Sequence, residues 1–147
     1  SDEISVSKLL KELEDALDAP LSQYDVDFDI AGFELSEMLA CNAEVLIGAL
    51  VSVVVNALQA SPQHPVVRVF ALKVKQSVVV SVLDRGPGMS DEALHQAQQP
   101  FQTTKSQGTG LGLAIAHQVG KAHGGHFEIK SELGAGTVAS FWLPILN

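Results

Sequence analysis

Two clusters of glycine are the part of this sequence best suited to chemistry. The first cluster, Asp84-Arg85-Gly86-Pro87-Gly88, follows the β-branched run 77–83, and the second, Gly108-Thr109-Gly110-Leu111-Gly112, opens an apolar run with helical spacing. Glycine lets the backbone turn tightly and approach a ligand with no Cβ in between. Free N–H groups at a helix N-terminus also favour phosphate. The two clusters therefore predict a nucleotide pocket.

Neither cluster matches a common phosphate-binding signature by itself. Residues 108–112 are not followed by Gly-Lys-Ser/Thr, and they do not have the G-x-G-x-x-G spacing after a first strand. Taken alone, each cluster is also compatible with a plain turn or a helix cap. The interpretation therefore depends on the order of the motifs along the chain.

Three polar side chains could contact a ligand directly. Asn56 lies in the otherwise apolar run 43–60, where a buried carboxamide must find a backbone partner or a polar ligand. Asp84 ends a strand and can accept a hydrogen bond from an exocyclic amine, or it can start a turn. Lys105, next to Thr103 and Thr104, can meet a phosphate as a point charge or remain a solvated loop lysine.

The histidines show no spacing typical of a metal site. His95, His117, His123 and His126 are not arranged with acids or with the single cysteine, Cys41, in a ligand pattern. We therefore expect structural roles for them.

The order of five motifs resembles a known family. The motifs are Asn56, Asp84-x-Gly86-x-Gly88, Pro100-Phe101-x-Thr103-Thr104-Lys105, Gly108-x-Gly110-Leu111-Gly112 and Gly134-Ala135-Gly136-Thr137. This order resembles the N, G1, F, G2 and G3 boxes of the catalytic and ATP-binding domain of bacterial sensor histidine kinases, which have the GHKL fold. The match runs from about residue 20 to the C-terminus. The Phe-x-Thr-Thr-Lys motif is most similar to that of nitrogen-regulation and oxygen-sensing sensors.

The resemblance implies ATP and Mg²⁺ as cofactors and assigns roles to individual residues. It makes Asn56 the magnesium ligand and gives Asn56 and Lys105 the catalytic roles. It implies that Asp84 recognises adenine by accepting a hydrogen bond from its amine. It also implies that Thr137 joins Asp84 through water. The residues that it assigns to the nucleotide are Asn56, Asp84, Gly86, Gly88, Thr104, Lys105, Gly108, Gly110, Leu111, Gly112 and Thr137.

Two positions depart from the family pattern. Ser52 stands where many members have a second Asn, and Gln59 stands where other subgroups have a basic residue. Related ATPases of the gyrase type have a Glu at the position of Ser52 to activate water, so an intrinsic ATPase is poorly supported here. The resemblance then implies phosphoryl transfer to a histidine on a dimerisation helix outside this chain. Two alternatives remain open: a serine/threonine kinase of the anti-sigma-factor type, and a non-catalytic nucleotide-binding module.

Hydrophobic patterning predicts a two-layer α/β sandwich with a mixed sheet of about five strands and three helices on one face. The expected helices cover 5–17, 43–60 and 111–122, and the expected strands cover 24–30, 66–74, 77–83, 127–131 and 137–143. Residues 90–107 are expected to form a short helix and a mobile ATP lid, anchored by Phe101. We expect residues 1–19 to be a connector helix from a missing dimerisation domain, and residues 20–147 to be the ATP-binding catalytic domain.

Composition limits the partners. The chain has 147 residues and a net charge of −8, with no basic cluster, which argues against a nucleic-acid partner. The resemblance implies a dimerisation and phospho-acceptor helix and a response regulator receiver domain as partners. We expect a cytoplasmic location with no direct membrane contact for this segment, whether or not the parent protein is anchored in a membrane.

Overall fold

The computed structural model describes residues 2–100 and 112–147. Its helices are α1 (Val6–Leu21), α2 (Ala43–Ala60), α3 (Asp91–Ala97) and α4 (Gly112–Ala122). Its strands are β1 (Glu3–Ser5), β2 (Asp27–Ala31), β3 (Met38–Ala40), β4 (Val66–Val74), β5 (Ser77–Asp84), β6 (His126–Glu132) and β7 (Gly136–Pro144).

The main sheet has five strands in the order β2-β4-β5-β7-β6. The β2 and β4 strands are parallel, and the other neighbours are antiparallel. The β4–β5 hairpin turns at Lys75, whose φ of 56° is left-handed. The prediction of a mixed sheet of about five strands is confirmed, and the β-branched residues of β5 fit its central position.

The helices α1, α2 and α4 form the second layer. These helices cover one face of the sheet. Alternate residues of each strand point to the same face, so every second residue of a strand packs against the helices. On β5 these are Val78, Val80 and Val82, all of them buried. The predicted sandwich with three helices on one face is therefore confirmed. The fourth helix, α3, is short and has no fully buried residue.

The central helix of this layer is α2, which begins after the N-cap Asn42. Among the described residues it is the one helix long and apolar enough to cross a membrane, judged by length and composition. In the fold it is a core helix, since Leu46, Leu50, Val54 and Leu58 are fully buried. Its sequence is apolar because it packs against the sheet and against both neighbouring helices.

Helix α1 ends later than predicted. Its expected end at residue 17 is wrong, because Pro20 lies inside the last turn and the helix continues to Leu21. Proline already has a helical φ, so near the end of a helix it costs little more than one hydrogen bond. Leu21 also packs against the core. The boundary expected between residues 19 and 20 thus falls within α1, and the assignment of residues 1–19 to a connector stays a prediction.

A small second sheet was not predicted. Strands β1 and β3 pair antiparallel, and Leu39 bridges to Ile145 near the end of the described chain. A strand of three residues is too short to show an alternating pattern. The ribbon is held by tertiary contacts such as the hydrogen bond from the Leu146 amide to the Met38 carbonyl.

Candidate functional site

Asp84 lies at the end of the central strand β5 and is only 8% exposed. Its Cα is in register with that of Thr137 on β7, so the two side chains share the face of the sheet that turns toward the helices. Oδ1 of Asp84 accepts a hydrogen bond of 2.8 Å from the Gly86 amide. This contact is an Asx turn, so the alternative role of Asp84 as a turn residue is present in the structure.

The turn after Asp84 is fixed against the β6–β7 turn. Gly88 has φ +71°, and a Cβ there would overlap the Glu132 carbonyl. The Gly134 amide donates to the Pro87 carbonyl over 2.7 Å. Glycine is therefore required at position 88 both for its left-handed backbone and for the close approach of a second chain segment.

Ser131 on β6 connects the two turns, and sequence reasoning missed it. Its Oγ accepts from the Met89 amide at 2.8 Å and lies 2.7 Å from Thr137 Oγ1. The same hydroxyl donates to the Gly136 carbonyl at 3.1 Å. A lone serine at the end of a strand carries no signal in a single sequence, because its role depends on residues that are distant along the chain.

Asn56 and Ser52 lie one turn apart on the same side of α2, and the first residue of α4 approaches both. A Cβ built on Gly112 would lie 3.1 Å from Ser52 Oγ and 3.3 Å from Asn56 Nδ2. Both distances are tighter than ordinary side-chain contacts. Glycine at position 112 therefore lets the start of α4 sit close beside the polar side chains of α2.

The turn at Gly86 contacts the same helix farther along. A Cβ on Gly86 would lie 3.5 Å from Ala60 Cβ. Since Ser52, Asn56 and Ala60 are spaced four residues apart, they follow one face of α2 over about 12 Å. The Asp84 turn and the start of α4 therefore lie at the two ends of this face.

The structure brings together only part of the predicted set. It places Asn56 next to Gly112, and it groups Asp84 with Gly86, Gly88 and Thr137. The short helix predicted within residues 90–107 is present as α3. Residues 101–107 of the predicted lid, with its anchor Phe101, lie outside the described residues, and so do five predicted ligand-binding residues: Thr104, Lys105, Gly108, Gly110 and Leu111.

A cavity of about 540 Å³ opens at the end of the sheet beside this site. It is lined by residues of β5, β6, β7 and the β6–β7 turn, including Asp84, Ser131 and Thr137. Arg85, Lys130 and Glu132 give its rim charges of both signs. Within residues 2–100 and 112–147, no group of three or more His, Cys, Asp or Glu residues could hold a metal ion.

Three of the four histidines discussed above make structural contacts, whereas His95 is exposed on α3. His123 Nδ1 lies 2.7 Å from the Val119 carbonyl, and its Nε2 accepts from the Asn42 amide. His126 stacks on Trp142. His117 packs edge-on against Phe127, and burial lowers the pKa of its imidazole.

The chain is similar to proteins of a known ATPase family. Residues 42–147 match the family described as histidine kinase-, DNA gyrase B-, and HSP90-like ATPase. The chain belongs to this family. The resemblance seen in the motifs is therefore confirmed, and the matched range includes Asn56, Asp84 and both glycine clusters. Membership of this ATPase family implies that the chain uses ATP.

The relatives similar in sequence include sensor kinases. The chain is 39% identical over 100 residues to the sensor histidine kinase ZraS of Escherichia coli K12, covering 68% of this chain and 22% of ZraS. It is 40% identical over 108 residues to the sensor protein kinase FleS of Pseudomonas aeruginosa, covering 74% of this chain and 27% of FleS. The chain thus spans about a quarter of the length of such relatives.

Solved structures agree with the fold. The nucleotide-free catalytic domain of histidine kinase ThkA superposes with a TM-score of 0.85 at 26% identity, covering 97% of this chain and 94% of that one. The mycobacterial sensor histidine kinase MprB gives a TM-score of 0.82 at 23% identity over 98% of this chain and 97% of its own, a likeness of fold. The fold is that of a histidine kinase catalytic domain.

Proposed function

We propose that the parent protein is a two-component sensor histidine kinase and that this chain is its ATP-binding catalytic domain. In this proposal the γ-phosphoryl group of ATP passes to a histidine on a dimerisation helix outside the chain. The observation that carries the proposal is the arrangement along α2. The Asp84 turn lies against one end of a polar face, and Gly112 lies against Ser52 and Asn56 at the other end.

The adenine end is assigned to Asp84. A carboxylate at the end of a central strand can accept a hydrogen bond from the exocyclic amine of adenine. The keto oxygen at the same position of guanine would face that carboxylate unfavourably, so the site should select ATP over GTP. Thr137 shares the register position of Asp84 and is proposed to assist through a bridging water.

The phosphate end is assigned to the start of α4. Its first backbone N–H groups carry the positive end of the helix dipole, which favours phosphate. Gly112 allows this end to sit beside Asn56 without a Cβ in the way. Thr104, Lys105, Gly108, Gly110 and Leu111 remain predicted nucleotide contacts.

Asn56 suits the magnesium ion that this family implies. Mg²⁺ takes hard oxygen ligands and is usually held by few protein groups together with substrate phosphates. An amide oxygen on Asn56, with no cluster of acids among the described residues, fits that mode of binding. When bound, the ion would neutralise charge on the phosphates. The chain itself would orient the nucleotide and keep the γ-phosphoryl group in line with its acceptor.

The partners follow from the proposed reaction. We infer a phospho-acceptor and dimerisation helix in the parent kinase, a response regulator receiver domain as the next acceptor, and a cytoplasmic location. The first residues, through part of α1, would connect to the dimerisation helix. The leucines of α1 that pack into the core would make that connection rigid.

The class of acceptor can be tested with labelled ATP. The chain should bind ATP without labelling itself, and it should label a dimerisation fragment of its parent kinase with acid-labile, base-stable phosphate. Acid-stable phosphoserine on a protein acceptor would instead favour the anti-sigma-factor type of kinase. Nucleotide binding without any transfer would favour the non-catalytic module.

A further inference from the structure

Helix α3 is weakly attached to the rest of the described chain. None of its residues is fully buried, and Asp91, Glu92, Ala93, His95 and Gln96 are exposed. At its N-terminal end, the preceding Met89 amide is held by Ser131 Oγ. Its C-terminal end therefore needs a specific contact if α3 is to keep one position.

That contact is a side-chain hydrogen bond to α4. Nε2 of His117 lies 2.6 Å from Oε1 of Gln98, the C-cap residue of α3. The amide nitrogen of Gln98 donates to the Leu94 carbonyl at 3.0 Å, so the oxygen of the same amide faces His117. Nε2 of His117 must then be the donor. His117 is itself fixed, because its ring packs edge-on against Phe127 at a centroid distance of 5.0 Å.

The position of this bond links it to the proposed phosphate end. His117 lies five residues after Gly112 on α4, a rise of about 7.5 Å along the helix. The bond therefore acts on the helix whose first turn forms the proposed phosphate end. Holding α3 and α4 in one arrangement before a ligand binds reduces the conformational entropy lost on binding.

We propose that the hydrogen bond from His117 to Gln98 positions α3 on α4 and thereby raises nucleotide affinity at the start of α4. Both are positioning residues that act through the placement of α3. The effect on affinity rests on the proposed function, whereas the docking of α3 does not.

The test uses substitutions that keep shape and remove the bond. His117→Phe keeps a ring against Phe127 but has no donor, and Gln98→Leu keeps the length of the side chain but has no acceptor. Each should weaken binding of a non-hydrolysable ATP analogue roughly 3- to 10-fold, the range expected for one lost hydrogen bond. The double variant should lose no more than either single one, because both remove the same contact.

Three controls separate positioning from general damage. Gln98→Glu keeps an acceptor and should retain affinity within about 2-fold. His95→Phe and Gln96→Leu make the same kinds of change at exposed positions of α3 and should leave affinity unchanged. Amide exchange of residues 91–98 without nucleotide should speed up in His117→Phe and Gln98→Leu, while exchange in β5 stays the same.

These experiments distinguish a failure of the proposed function from a failure of the positioning role of His117 and Gln98. If the unaltered chain fails to bind the analogue, the proposed function and the affinity effect are both wrong, and the exchange of α3 still reports on docking. If the unaltered chain binds and the two variants bind equally well, the positioning role is overturned. Additive losses in the double variant would also overturn it.

Discussion

Asp84 combines an observed structural contact with the proposed adenine contact. Its Oδ1 accepts from the Gly86 amide, and its position at the end of β5 places the carboxylate beside Thr137. An Asn at this position keeps an oxygen for the Gly86 amide but loses the negative charge. The two roles of Asp84 can therefore be separated by one substitution.

Asp84→Asn should weaken ATP binding by about 1.5–3 kcal/mol, the value of a hydrogen bond to a charged group, with little change in thermal stability. Calorimetric titration of each variant measures the loss. Asp29→Asn, at an exposed position of β2, is the matched control and should bind as the unaltered chain does. Unchanged ATP affinity in folded Asp84→Asn would leave Asp84 as a turn residue only.

Asn56→Ala should remove most of the dependence of ATP affinity on magnesium, because the proposed oxygen ligand is lost. The quantity to compare is the ratio of the dissociation constants measured with Mg²⁺ and with a chelator. Gln63→Ala, just beyond α2 and exposed, serves as the control. The same ratio in Asn56→Ala and in the unaltered chain would contradict the assignment.

Glycines on α2 and α4 have opposite roles in the packing of these elements. Gly112 has almost no free space next to Ser52 and Asn56, whereas a Cβ on Gly48 would meet nothing within 4 Å. The first glycine therefore sets the distance between two helices, and the second only weakens the helix that contains it. The same substitution should have opposite effects at the two positions.

Gly112→Ala should force α4 away from α2 by a few tenths of an ångström and weaken ATP binding, with an overpacking cost of about 1–3 kcal/mol. Gly48→Ala should raise the free energy of unfolding by about 0.5–1 kcal/mol and leave ATP affinity unchanged, since alanine is favoured over glycine in a helix. Chemical denaturation and nucleotide titration of both variants measure the two effects. Equal ATP affinity in both would show that the contact of Gly112 does not shape the site.

The contact between α4 and β6 should depend on pH through His117. Burial lowers the pKa of its imidazole below the ordinary value of 6.5. The unfolded chain therefore takes up a proton on this residue at a higher pH than the folded chain does. The contribution of His117 to stability is fully present above pH 6.5 and is lost as pH falls toward the folded pKa.

The pH dependence of the contribution of His117 to stability can be measured by comparing the unaltered chain with a variant that lacks the imidazole. The free energy of unfolding of the unaltered chain minus that of His117→Phe should be constant above pH 6.5 and should fall as the pH is lowered below it. A difference for His117→Phe that rises on acidification would contradict the assigned direction of the pKa shift.

At the scale of the whole molecule, the sequence predicted the architecture well, because its strands and its long apolar helix have strong periodic patterns. The β4–β5 hairpin and α2 appear at the expected positions. The β1–β3 ribbon and the extension of α1 past Pro20 were not predicted, since both depend on tertiary packing that overrides local propensity.

The motifs of the candidate site were predictable from the sequence, whereas the residues that hold those motifs in place were not. Asp84, Asn56 and the glycines stand out by residue type and order. Ser131, Gln98 and His117 do not, because each makes its contact with a residue far away in the sequence. The close approach of Gly112 to Ser52 also became visible only in three dimensions.

The most direct test of the central claim is a calorimetric titration of the unaltered chain with ATP and with GTP, each with magnesium. We predict one ATP bound per chain and much weaker binding of GTP, with the preference for ATP reduced in Asp84→Asn. Absence of ATP binding, or equal affinity for ATP and GTP, would contradict the proposal that Asp84 and the Asn56 face of α2 form an adenine nucleotide site.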